Sequence, residues 1–159
     1  LNKNSISNVI LRQDDYFVYP PKTNNFMRRG DKNWRGMKEV KLDLLDAHVK
    51  AFKNGEHFIE KPLIEYGSNT SQNTNFNFFG ANLLIVEGTY TSTLSNVDIG
   101  VFIDRNFHQT LEHRQNRNRD SSELDDFTKQ VLQKEHSIIS KHRALADIII
   151  NSDYSVEIQ

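Results

Sequence analysis

Apolar residues fall along this chain in two rhythms. In "NLLIVEG" (82–88) they run without interruption straight into Glu87 and Gly88. An unbroken apolar run, as opposed to an alternating one, predicts a strand covered on both faces, the kind that belongs to parallel sheets flanked by helices. "IGVFID" (99–104) and "ADIIIN" (146–151) repeat the style, and "NVILR" (8–12) is a short apolar run bounded by polar residues. The second rhythm is helical. Val40, Leu44, Leu45, Val49 and Phe52 recur at helical spacing and predict a helix over 39–53, with Lys50 and Lys53 in its last turn and Gly55 just past it. Two more helices are predicted, over 107–118 and 123–142, the second opened by Ser122 and Asp125 in the manner of a capping box. "FIEKPLIEY" (58–66) reads as extended, with Pro62 demoting it to an edge or a bend. "VYPPKTNNFMRRGDKN" (18–33) reads as a loop with little regular structure, and "GSNTSQNTNFN" (67–77) as a polar surface loop.

Strand, helix, strand, helices, strand is the doubly wound α/β pattern. The 159 residues suit one domain spanning 1–159, with no internal repeat. A net charge of -1 gives no reason to expect nucleic acid or an anionic membrane as partner. The chain has no cysteine, which excludes disulfides, thiolate zinc sites and a cysteine nucleophile. No apolar run reaches membrane-spanning length, so a soluble, cytoplasmic protein is expected. It starts at Leu1 with a polar stretch that reads as the tail of something upstream.

In open α/β sheets, ligands bind beyond the carboxyl ends of the strands. Three predicted strands end in acids there: Asp14 and Asp15, Glu87, and Asp104. One such acid alone is ordinarily a turn or cap residue; three at corresponding ends put a catalytic or metal-binding reading on a level with that one. The histidine pairs His108/His113 and His136/His142 are five and six residues apart, so neither shares a helix face as a zinc pair would.

"VILRQDDYF", "LLIVEGTYT", "VFIDRNFHQTLEHRQNRNRD" and "KHRALADIIIN", in that order, resemble a uridine kinase of the phosphoribulokinase/uridine kinase family of P-loop kinases. The resemblance covers nearly the whole chain and implies a P-loop NTPase-like parallel sheet flanked by helices. It further implies an enzyme using ATP and Mg2+ to phosphorylate a hydroxyl of a small molecule, with uridine and cytidine first among the acceptors. By position, Asp14 would take the proton from the attacking hydroxyl, with an Asx turn as the alternative reading of Asp14 and Asp15. Glu87 would hold the metal through water, since Mg2+ needs only one or two carboxylates. Arg114, Arg117 and Arg119 would form a lid over the phosphates, where guanidinium groups bind oxygens bidentately, against the alternative of a solvated basic helix face. Tyr16, Trp34, Arg35 and Tyr66 are candidates for the substrate pocket, the aromatics as stacking partners and Arg35 for an anionic or sugar-phosphate acceptor, although aromatic residues are more often core. A homo-oligomer stays open.

The chain also departs from the family. No GxxxxGK[ST] occurs among the 159 residues, so the first strand and phosphate-binding loop are expected upstream of Leu1. Where family members carry Asn-Phe-Asp-x-Pro, this chain has "NWRGMKE"; where they carry Pro-x-Tyr-Asp, it has "KPLIEYGSN". Uridine is therefore an analogy, other phosphate acceptors remain open, and a catalytically inactive interaction module is the alternative should the loop be truly absent.

Overall fold

A computed structural model describes residues 6–105 and 125–159. Strand β1 (Asn8–Arg12) pairs in parallel with β4 (Leu83–Glu87), Arg12 opposite Glu87. Strand β5 (Val101–Ile103) pairs in parallel with β6 (Ile148–Ile150), and β7 (Val156–Ile158) adds antiparallel to β6. Helix α2 (Leu42–Lys53) lies against the first sheet through Leu45, Val49 and Ala51, which join Leu11, Ile59 and Phe78 in the main core. The last long helix, α3 (Asp126–Ile139), ends at Ile139, which packs against both the main core and a smaller one of Phe102, Ala146 and Ile149. Parallel strands with intervening helices are the α/β arrangement that the apolar runs predict.

Four local expectations change. Residues 18–33 contain a helix, α1 (Pro21–Gly30). Pro21 is tolerated because it stands in the first turn, where its missing N–H would have had no partner and its fixed φ suits the helix. Residues 67–77 are not a loop: Thr70–Asn77 form β3, antiparallel to β2 (Phe58–Glu65) in full register from Phe58↔Asn77 to Glu65↔Thr70. Nearly all of β3 faces water, which is why its polar composition hid it. The cap of α3 is Asp125 itself, whose carboxylate accepts from the Thr128 N–H at 2.6 Å. Ser122 and the helix predicted over 107–118 lie outside the described residues. Finally, β4 and β5 are not covered on both faces, for Leu83, Ile85, Val101 and Ile103 remain exposed.

Candidate active site

The parallel pairing of β1 with β4 brings two predicted acids to one edge. β1 ends at Arg12 and turns through a short 3-10 segment, Gln13–Tyr16, so Asp14 stands just past its carboxyl end. Glu87 closes β4 alongside. Asp14 is exposed and makes no hydrogen bond or ion pair with the described residues. Glu87 is mostly solvent-facing, with Arg12 Nε 3.7 Å from its Oε1, a loose pair worth little in water. Two carboxylates without a strong partner among the described residues, at the end of adjacent parallel strands, are what a phosphate-bound cation and an acceptor hydroxyl would meet. The other two acids are engaged. Asp15 takes the Lys61 ammonium at 2.5 Å and faces the Ile64 N–H at 3.5 Å; Asp104 takes Arg143 Nε at 2.9 Å. The bond to Asp104 holds the Arg143 guanidinium even further above its usual range.

The turn carrying Asp14 is held from below. Gln13 is buried, and its Oε1 accepts the Tyr90 N–H at 2.7 Å, tying the loop after β1 to the loop after β4. Gly88 permits that tie, since any Cβ there would overlap the Gln13 side chain. The room that Gly88 leaves is thus filled by Gln13. On the far side of the turn, Lys61 sits almost wholly buried and also donates to the Pro62 carbonyl at 3.1 Å. A buried lysine needs such a partner set, because an unpaired ammonium there would be costly. Asp14 therefore projects from a turn whose neighbours on both sides, Gln13 and Asp15, are fixed by side chains from elsewhere in the chain.

Tyr16 belongs to the core and not to a substrate pocket, a correction to the sequence expectation. It is fully buried, donates its hydroxyl to or shares it with His48 Nδ1 at 2.8 Å, and meets that ring edge-on. Burial, with the Asp15 charge beside it, pushes the phenol far up, so it stays neutral. Burial and the Lys61 charge push His48 down from its usual value.

Trp34 and Arg35 belong to a second polar cluster, built around Glu39. This carboxylate is fully buried and accepts from Asn24 Nδ2 (2.6 Å), Arg28 Nε (2.5 Å) and the Gly36 N–H (2.7 Å). Trp34 Nε1 donates to Asn24 Oδ1 at 2.7 Å, its ring tilted on Tyr19. Arg35 Nε donates to the Arg28 carbonyl at 3.0 Å and its guanidinium lies over Phe127 of α3. Arg28 reaches on to Glu135 at 3.1 Å, so α1 and α3 are clamped together. Both predicted pocket residues thus already have protein partners. Tyr66 stands half-exposed just past β2. In the same hairpin Asn69, in the left-handed region at φ 56°, lends its Oδ1 to the Lys22 N–H at the start of α1 (2.8 Å). Arg114, Arg117 and Arg119 lie outside the described residues.

Sequence reading missed Lys61 and Glu39. A lysine among the mixed residues of β2, and a glutamate three positions before α2, are weak local marks; the partners that explain them are 46 and 15 residues away. A further cavity of about 430 Å³ opens where β5 and β6 end, lined by Asp104, Arg105, His136, Arg143, Asn151 and Ser152 among others. It too lies at the strand ends where ligands bind in such sheets.

The fold is an α/β one of parallel strands with flanking helices, and comparison with solved structures shows the same kind of fold. Phosphoribulokinase from Rhodobacter spheroides superposes with a TM-score of 0.65 at 13% identity, over 94% of this chain and 61% of that one. Among curated proteins, the bifunctional alpha-galactosidase/sucrose kinase AgaSK of Mediterraneibacter gnavus is 29% identical over 161 residues, covering 92% of this chain. The chain spans 17% of the length of that relative. No protein-family model matches the chain.

Proposed function

We propose that this chain is the acceptor-side part of an ATP-dependent small-molecule kinase, with a sugar hydroxyl as the phosphate acceptor. The observation that carries it is the pair of carboxylates at neighbouring strand ends, Asp14 without a partner among the described residues and Glu87 with only a loose contact to Arg12. In phosphoryl transfer the acceptor hydroxyl loses its proton while its oxygen attacks the γ-phosphorus and the bond to the bridging oxygen of ADP breaks. Asp14 is the group that takes that proton, an exposed acid on a turn fixed by Gln13 and Asp15. Glu87 suits Mg2+, which keeps most of its waters and asks for only one or two carboxylates. Bound there, the ion would neutralise phosphate charge.

The sugar assignment draws on the sucrose kinase activity named for the relative from Mediterraneibacter gnavus. It also draws on Tyr16: an aromatic ring that could have stacked on a nucleobase beside Asp14 is inside the core. Uridine and cytidine are the competing acceptors from the family resemblance. The test is transfer from radiolabelled ATP by the protein at its natural length, against sucrose, other sugars, uridine and cytidine. Labelled sugar supports the reading; labelled nucleoside transfers it to uridine kinase chemistry; no labelled product from any acceptor removes it.

A further inference from the structure

We infer that Asp15, set in place by Lys61, binds the acceptor: its Oδ1 takes a hydrogen bond from a second hydroxyl of the sugar whose first hydroxyl meets Asp14. Asp15 in this role deepens the sugar-kinase reading above and rests on it. The substrate class becomes an uncharged ring with at least two hydroxyls within reach of one turn, as opposed to an isolated alcohol.

The turn Gln13–Tyr16 is a 3-10 segment, in which side chains three apart eclipse and successive ones point about 120° apart. Gln13 and Tyr16, three apart, are both buried and so define its inner side. Asp14 and Asp15 are left on the two outer directions. Asp14 is exposed at the strand ends, and Asp15 faces β2, where it meets Lys61 and the Ile64 N–H. The β2–β3 hairpin is tied to this stretch a second time, through Asn69 and the Lys22 N–H. A molecule standing over the Asp14 turn therefore has the hairpin, and Asp15, on one flank.

The two oxygens of Asp15 are unequally used. Oδ2 accepts from Lys61 Nζ at 2.5 Å, whereas Oδ1 has only the Ile64 N–H at 3.5 Å, beyond the ordinary length of a hydrogen bond. An ionised carboxylate offers about four lone-pair sites, so Oδ1 keeps room for a strong donor. The Asp15 side chain is 16% exposed, against 5% for Lys61, so a ligand can reach the acid while the cation stays behind it. The Pro62 carbonyl and the rings of Tyr16 and Phe76, 6.0 and 5.7 Å from the ammonium, hold that cation in place.

As a brace alone the pair is a poor device, because apolar side chains of similar volume stabilise as well as a buried ion pair or better. What the pair adds is a carboxylate of fixed direction that can only accept, one residue from the base. Hydroxyls are the donors that a sugar has in abundance, and a hydrogen bond to a charged acceptor is among the stronger ones. An anionic acceptor fits less well, since its charge would face Asp14 and Asp15 together.

The test changes ligand and protein in turn, with the protein at its natural length. Transfer from radiolabelled ATP is measured to sucrose and to its monodeoxy analogues, by the wild type and by Asp15→Val/Lys61→Met, which replaces the ion pair with an apolar one. The analogue lacking the phosphorylated hydroxyl is set aside. Among the rest, one should lose at least tenfold in kcat/KM with the wild type, chiefly through KM. The double variant should lose a similar factor on sucrose and nothing further on that analogue, because the contact is already gone. Equal proportional losses by the variant on every analogue would mean that Asp15 only braces the turn, and would overturn the inference. So would a wild type indifferent to every remaining hydroxyl, a result that needs no variant to fold. If the wild type labels no sugar, this role falls together with the sugar reading; if it labels sucrose without the coupling, this role falls alone.

Discussion

Replacing Glu39 with alanine tests whether the buried cluster is as coupled as its geometry implies. The carboxylate accepts three hydrogen bonds, from Asn24, Arg28 and Gly36, in a site with no solvent access. Breaking a buried ion pair by deleting one partner costs about 3–5 kcal/mol. The lower half applies, because Arg28 keeps Glu135 and is itself about one-fifth exposed. The Asn24 and Gly36 donors, however, are left without an acceptor at roughly 1 kcal/mol or more each. The sum is about 5–6 kcal/mol, which at a urea slope of about 2 kcal/mol per molar lowers the unfolding midpoint by roughly 2.5–3 M. Trp34, the single tryptophan, reports on the same site through its bond to Asn24, so its emission should shift in the folded state as well. Exposed Glu65 is the control, and Glu65→Ala should change stability by less than about 0.5 kcal/mol. A Glu39→Ala loss below about 1 kcal/mol would show that the three donors find water, and the argument for a coupled cluster would be wrong.

Other expectations follow from single contacts. Asp14→Asn should lower phosphoryl transfer by about 10²–10⁴-fold while ATP affinity stays within a few-fold; a drop under tenfold in kcat removes its role as base. Gly88→Ala should cost about 1–3 kcal/mol in chemical denaturation because the new methyl displaces Gln13, and an unchanged midpoint would contradict that packing. Tyr90→Phe should be neutral or stabilise by up to about 1 kcal/mol, since the buried Tyr90 hydroxyl has no hydrogen-bond partner among the described residues; a clear loss would mean that it has one. Burial holds His48 below its ordinary value, helped by Lys61 and opposed by Glu56, and burial alone does the same to His142. The unfolded chain therefore binds these protons first, so stability should be full above about pH 6.5 and fall as pH drops from there toward the folded-state values. His48→Gln should flatten that slope in urea titrations at pH 7.5 and 5.5; an unaltered slope would absolve His48.

The strands whose covering is apolar were legible because their residues report their own surroundings: "NVILR" and "LLIV" begin and end where β1 and the apolar part of β4 do. The elements that sequence missed are those stabilised by distant partners. Helix α1 begins with two prolines and carries a polar sequence; its first free N–H is capped from the β2–β3 turn by Asn69, and its arginines are held by Glu39, Glu135 and Asp125. Strand β3 is polar because its outer face is wet, and only its register against β2 makes it a strand. Tyr16 misled for the same reason. Two residues after Asp14 it reads as a binding-site aromatic, but the 3-10 turn rotates it inward onto His48, 32 residues away.

Strand-end acids were readable as a class, and the structure divides them by a criterion no local pattern contains. A carboxylate matched to a nearby cation in the folded chain is already neutralised, and a second cation or a hydroxyl proton must compete with that partner. Asp15 and Asp104 are in that condition, with Lys61 and Arg143 in place. Asp14 has no such partner among the described residues, and the Arg12 contact to Glu87 is too long and too exposed to compete strongly. The distinction has a direct consequence: Lys61→Met would release Asp15 next to Asp14, and two like charges on one turn raise the proton affinity of both. The acidic limb of a pH–rate profile should then move to higher pH, whereas Lys61→Arg should leave it in place. Movement in both variants, or in neither, would mean that the Lys61–Asp15 pair only braces the turn and does not isolate Asp14 as its one free acid.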